Sequence, residues 1–127
     1  MEPARLIFDL QPYEAELRQA LEYDFFGESY ETVQEKVTTK DYVAVELPGP
    51  AIAVLDIKFT AAGRVLNIVA LAGKSMHREV RGWVEVGRRI AKEQDCVELA
   101  VAGRKGWGRV LRRLGFEDRS FLTSLRV

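Results

Sequence analysis

Residues 64–102 constrain the fold more than any other stretch. "RVLNIVALA" (64–72) is a continuous apolar run, "MHREVRGWVEVGRRIAKEQ" (76–94) has helical periodicity, and "CVELAVA" (96–102) is short, apolar and β-branched. Strand, long helix and strand in that order predict a parallel pair joined by a helical crossover. In the helix Met76, Val80, Trp83, Val84, Ile90 and Ala91 fall largely on one stripe, with Gly87 at a close contact. His77, Arg78, Arg81, Glu85, Arg88, Arg89 and Lys92 lie mostly off that stripe, so one face packs and the other is solvated.

Upstream, "ARLIFDL" (4–10) reads as a strand and "PYEAELRQALEY" (12–23) as a helix with Pro12 in its first turn. "SYETVQEKV" (29–37) reads as a second helix capped by Ser29. "DYVAVEL" (41–47) and "AIAVLDIKF" (51–59) are strands about the turn "PGP", and "TAAGR" turns the chain into the run at 64. After residue 102, "RKGWGRVLRRL" (104–114) reads as a helix that Gly115 can end in left-handed geometry. "FEDRSFLTSLRV" (116–127) supplies one or two strands. The expectation is one domain over 1–127, of mixed α+β class, with an antiparallel meander, a crossover and helices on both sheet faces.

Composition narrows the function classes. At 127 residues, 47% hydrophobic and 30% charged, the chain reads as a soluble globular protein. No apolar run approaches the roughly 18 residues of a membrane helix, and the N-terminus does not read as a signal peptide. Cys96 is the only cysteine and His77 the only histidine, so neither an internal disulfide nor a cysteine-based zinc site can form. These features fit a reducing cytoplasm. The formal net charge of zero conceals a division. Residues 1–72 carry 6 Lys or Arg against 12 Asp or Glu, and residues 73–127 carry 13 against 7. The basic half can complement the acidic half or face an anionic partner.

The element order and "WGRVLRRLGFED" resemble the GNAT superfamily of acetyl-CoA-dependent N-acetyltransferases, and nearly the whole chain can be laid on that pattern. "LRRLGFED" (111–118) is similar to the family's Tyr-x-x-x-Gly-Phe segment. The length, the Gly-Lys after the 64–72 strand and the C-terminal half also resemble small GNAT-like virion-associated proteins of short-tailed phages. The family resemblance implies that the strands at 64–72 and 96–102 splay apart to admit the pantetheine arm. The pyrophosphate would then rest on backbone N–H groups at the start of the long helix, where partial positive charge gathers.

Laid on the family's Arg/Gln-x-x-Gly-x-Gly/Ala loop, "LAGKSMH" (71–77) departs at two positions. Gly73 and Lys74 match, and Met76 matches an aliphatic position. Ser75 stands where glycine is expected, and His77 where glycine or alanine is expected. The resemblance therefore implies coenzyme contacts from Leu71, Gly73, Lys74, Ser75, Met76, His77 and Arg104, in a site weakened by two bulkier residues. The plainer reading is that Gly73 makes the turn and Ser75 caps the helix. The family's tyrosine acid falls on Leu111, which cannot donate a proton, and its asparagine on Arg104. For a general base the chain offers Glu98 and His77 as catalytic candidates, with Asp56 a further carboxylate. Each of these also fits a surface position. Cys96 fits a core position.

Three classes of function are compatible with these residues. One is a structural or interaction protein on a GNAT fold with a degraded acetyl-CoA site, a virion component among the options, which implies protein partners. Another is an active N-acetyltransferase that uses an acyl-CoA, with water and backbone groups standing in for missing side chains. A nucleic-acid binder using the basic half is disfavoured, because Trp83 and Trp107 sit at helical packing positions rather than on a stacking platform.

Overall fold

The computed structural model describes residues 5–22, 28–48, 50–73, 76–102, 111–119 and 122–126, with backbone alone at 76–79, 102, 117–119 and 122–126. The strands are β1 (Arg5–Ile7), β2 (Val43–Leu47), β3 (Ala51–Thr60), β4 (Gly63–Gly73), β5 (Glu98–Ala102), β6 (Glu117–Arg119) and β7 (Leu122–Arg126). The helices are α1 (Glu14–Leu21), α2 (Tyr30–Thr38) and α3 (Met76–Glu93), and residues 111–113 are helical as well. One sheet takes the order β1-β2-β3-β4-β5-β7-β6. Among the described residues its only parallel pair is β4 with β5 and the other pairs are antiparallel, so the predicted meander and crossover are both present.

Each face of the sheet has its own core. Alternate residues of β3, namely Ala51, Ala53 and Leu55, join Val80, Trp83, Val84, Val86 and Leu99 beneath α3. The intervening Ile52 and Val54 join Leu10, Leu17, Val33 and Val37 beneath α1 and α2. Strand pleat sends successive side chains to opposite faces, so one apolar strand serves both layers. Gly87 lets α3 lie close to β5: a Cβ there would stand 3.0 Å from Cδ2 of Leu99. Ser29 caps α2 as its position suggests, with its Oγ accepting from the Thr32 N–H at 3.1 Å.

Two element boundaries near the N-terminus differ from the sequence reading. The first strand stops at Ile7, because the Gln34 side chain takes the backbone next to it. The Leu10 N–H donates to Gln34 Oε1 at 2.7 Å, and Gln34 Nε2 donates to the Phe8 carbonyl at 3.0 Å. A 3-10 turn at Gln11–Tyr13 precedes α1, with Pro12 inside it. The chain from 117 forms two strands, the larger of the two numbers the sequence allowed. Gly115 takes φ 97°, as expected of a helix-ending glycine, whereas 104–110 and Trp107 lie outside the described residues.

Trp83 ties α3 to the β2–β3 turn. It is 5% exposed, and its indole N–H donates to the Pro48 carbonyl at 2.9 Å. Trp83→Ala is expected to lower the unfolding free energy by about 3–5 kcal/mol in urea titrations. Trp83→Phe, which keeps most of the ring and loses the hydrogen bond, should cost about 1 kcal/mol beyond the packing change. A loss below about 0.5 kcal/mol for the alanine variant would contradict the burial.

Candidate functional site

The gap between β4 and β5 begins at one irregular residue. The two strands pair in parallel from Val65 with Glu98 to Ile68 with Val101, and no further. Against β3, β4 stays paired to its end, where Gly73 meets Ala51. Leu55 pairs with Ile68 and Val54 with Ala70, so Val69 is an extra residue, a β-bulge. A bulge bends its strand and shifts the phase of the residues beyond it. Cluster membership records that shift. Leu66 and Ile68 pack on the α3 side, Val69, Ala70 and Ala72 on the α1–α2 side, and Leu71 again under α3.

Peptide groups change phase with the side chains. The Arg64 carbonyl accepts from the Val97 N–H at 2.8 Å, so the peptide groups of Arg64, Leu66 and Ile68 turn toward β5. Beyond the bulge that side passes to Leu71 and Gly73. There no described residue of β5 pairs with β4, although the opposite edge of β5 stays paired with β7 through Ala102. The result, among the described residues, is a wedge with unpaired strand edge on the β4 side. It lies at the end of β4 from which the chain enters α3.

Gly73 has a packing reason to be glycine. A Cβ there would stand 2.7 Å from the Ala51 Cβ and 3.0 Å from the Pro50 carbonyl oxygen, with no room for either contact. The close β3–β4 approach at this end of β4 therefore requires it. Of the remaining predicted contacts, Leu71 borders the wedge, and Met76 and His77 occupy the first turn of α3. Lys74, Ser75 and Arg104 lie outside the described residues, as do the side chains of Met76 and His77.

The structure separates the two carboxylate candidates. By strand alternation both face the α1–α2 side, opposite α3. Asp56 lies opposite Asn67, one residue before Ile68, and its carboxylate pairs with Lys58 Nζ at 2.9 Å. Glu98 is only 4% exposed, and is not the surface side chain its residue type suggested. It opens β5 beside Val65, three residues before the last β4–β5 pair, or about 10 Å from the wedge. Leu111 is 4% exposed and belongs to the core under α3 together with Phe116. Cys96 is likewise buried.

Two features escaped the sequence reading. The bulge left no trace, because "NIVALA" is apolar at nearly every position and carries no alternation to break. The second is a polar clamp at the wedge end of the sheet. Tyr13 Oη donates to Glu46 Oε2 at 2.8 Å, and Arg5 pairs with the same carboxylate at 2.5 Å. Glu46 shares a register row with Ile52 and Ala72, so the clamp fixes the start of α1 above the bulged half of β4. Burial, and then the bond to Glu46, push the Tyr13 phenol up from 10.0 to about 12. The bond from Tyr13, aided by Arg5, holds Glu46 below 4.5.

Sequence comparison finds no match to a family model, and no match among curated proteins. Structural comparison does find matches: among them, a GNAT family acetyltransferase from Brucella melitensis, solved in complex with acetyl-CoA, superposes with a TM-score of 0.54 at 15% sequence identity. The match covers 99% of this chain and 89% of that one. The chain therefore has the GNAT fold. No helix among the described residues is long and apolar enough to cross a membrane.

The clamp predicts two pH limbs. Tyr13 has a raised folded pKa, so its contribution is complete below pH 10 and is lost as pH climbs through about 12. Glu46 has a depressed folded pKa, so its contribution is complete above its unfolded value and is lost as pH falls through the lower folded one. Glu46→Gln should flatten the acid limb of stability in thermal melts. It should also bring one tyrosine of the ultraviolet titration back toward 10.0. An unchanged titration would show that Tyr13 does not bond to Glu46.

Proposed function

We propose that the chain is a GNAT-fold binding protein whose wedge takes coenzyme A or acetyl-CoA weakly, and that it no longer transfers acetyl groups at an enzymatic rate. The observation that carries this reading is Leu111. At the position of the family's tyrosine acid stands a leucine closed into the core, 4% exposed, so no nearby rotamer change restores a proton donor. The base side is equally poor. Glu98 lies at the closed end of the β4–β5 pair, and Asp56 is held by Lys58.

The wedge nevertheless suits the coenzyme. The peptide groups of Leu71 and Gly73 would hold an amide-bearing arm as a neighbouring strand would. The first turn of α3, with Lys74, Ser75, Met76 and His77, would meet the phosphates, and Arg104 would add positive charge. Bound acetyl-CoA would supply an activated thioester. Ser75 and His77, in place of the smaller residues the family resemblance expects, would narrow the approach of the phosphates and so weaken binding. A protein of this kind acts through partners, and the looser resemblance to phage proteins makes virion components one class of them.

The second reading is an active N-acetyltransferase, favoured by Asp56. It lies on the sheet face opposite α3, one register row from the bulge. There it could take a proton from an amine entering from the α1–α2 side. Calorimetric titration with acetyl-CoA separates the two readings. The natural chain should bind with a Kd well above about 1 μM, the value that corresponds to about −8 kcal/mol. The variant with Ser75→Gly and His77→Gly should bind more tightly. Binding by the natural chain at low micromolar strength, with coenzyme A released on adding amines, would overturn the proposal in favour of the enzyme.

A further inference from the structure

Five large apolar side chains among the described residues are well exposed, and three of them share one surface. Leu6 is 58% exposed, Phe8 61% and Val43 44%. All three line a groove of about 910 Å³ that also borders Ile57, Val86 and Ile90. Its origin is topological. Helix α3 covers β4, β5 and the Val45 and Leu47 side chains of β2, so among the described residues β1 and the Val43 end of β2 have no helix above them on that face. The groove lies toward the Leu66 end of β4 and the C-terminal half of α3, away from the wedge.

The rim indicates what covers it. Lys40 and Arg89 stand there with Asp41 and Glu93, all four exposed, two of each sign. Asp56 also borders the groove but is already paired with Lys58. A partner surface of a single sign would meet a like charge at half of this rim. A copy of the same rim, turned by a two-fold axis, can set each cation against an acid while the apolar centres meet. We propose that this groove is closed by the same groove of a second copy, in an isologous dimer with Phe8 near its centre. The inference does not rest on the functional reading, and a dimer of this kind leaves both wedges open.

Sedimentation equilibrium of the full chain, from low micromolar to near-millimolar concentration, tests this. The natural chain should follow a monomer–dimer equilibrium, and Phe8→Asp should weaken dimerisation at least tenfold, about 1.4 kcal/mol. Because Phe8 is exposed, the variant should keep the natural circular dichroism spectrum and the natural response to acetyl-CoA. Should Phe8→Asp fail to fold, Val43→Asp provides the same reading. A natural chain that stays monomeric at every concentration overturns the proposal. In that case enhanced fluorescence of an apolar dye, lost in Phe8→Asp, would assign the groove to a small apolar ligand. Undiminished dimerisation in the folded variants would overturn it as well, by placing the contact elsewhere.

Discussion

The extra residue at Val69 sets the geometry on which the rest of the molecule depends. A central strand has to satisfy two neighbours, and β4 does so only as far as Ile68. One inserted residue keeps β4 in register with β3 but out of phase with β5. The unpaired strand edge this leaves is costly to bury, so the conformation holds only because its surroundings enforce it. The enforcing contacts are visible. The β3–β4 ladder runs the full length of β4, Gly73 lies against Ala51 with no room for a Cβ, and β5 finds its other partner in β7.

Helix α3 is placed by two contacts one turn apart on its buried stripe. The Trp83 indole reaches the β2–β3 turn, and Gly87 lets Leu99 of β5 sit beneath the helix. Together they bring the first turn of α3 to the mouth of the wedge, where its unbonded N–H groups gather. On the proposed reading, the framework that would hold an anion is built by backbone and packing rather than by reactive side chains. A fold could then keep its binding geometry while Leu111, buried in the core, stands where the family resemblance expects an acid.

Much of the fold could be read from the sequence, because its signals are local and periodic. The strand, helix and strand over 64–102, the cap at Ser29, the close contact at Gly87 and the left-handed Gly115 each arise from residue chemistry acting over a few positions. The site was less legible. Its shape depends on one unmarked bulge in an apolar run. The clamp joins Tyr13 and Arg5 to Glu46 across more than thirty positions, and no periodicity announces such a contact. The first strand was overextended for the same reason: Gln34, on a distant helix, takes the backbone bonds at Phe8 and Leu10. Glu98 looked like a surface carboxylate because strand alternation does not reveal how deeply a strand's opening residue is covered.

The central claim is that β4 changes phase at Val69 and presents Leu71 and Gly73 to an open wedge. Amide hydrogen exchange, resolved residue by residue by nuclear magnetic resonance, tests it most directly. In the free chain the amides of Leu66 and Ile68 should be strongly protected, and those of Leu71 and Gly73 should exchange far faster. A saturating concentration of coenzyme A should slow the exchange of Leu71 and Gly73 and leave Leu66 and Ile68 unchanged. Leu71 and Gly73 amides as protected in the free chain as those of Leu66 and Ile68 would mean that β4 and β5 remain paired beyond the bulge, and would contradict the account.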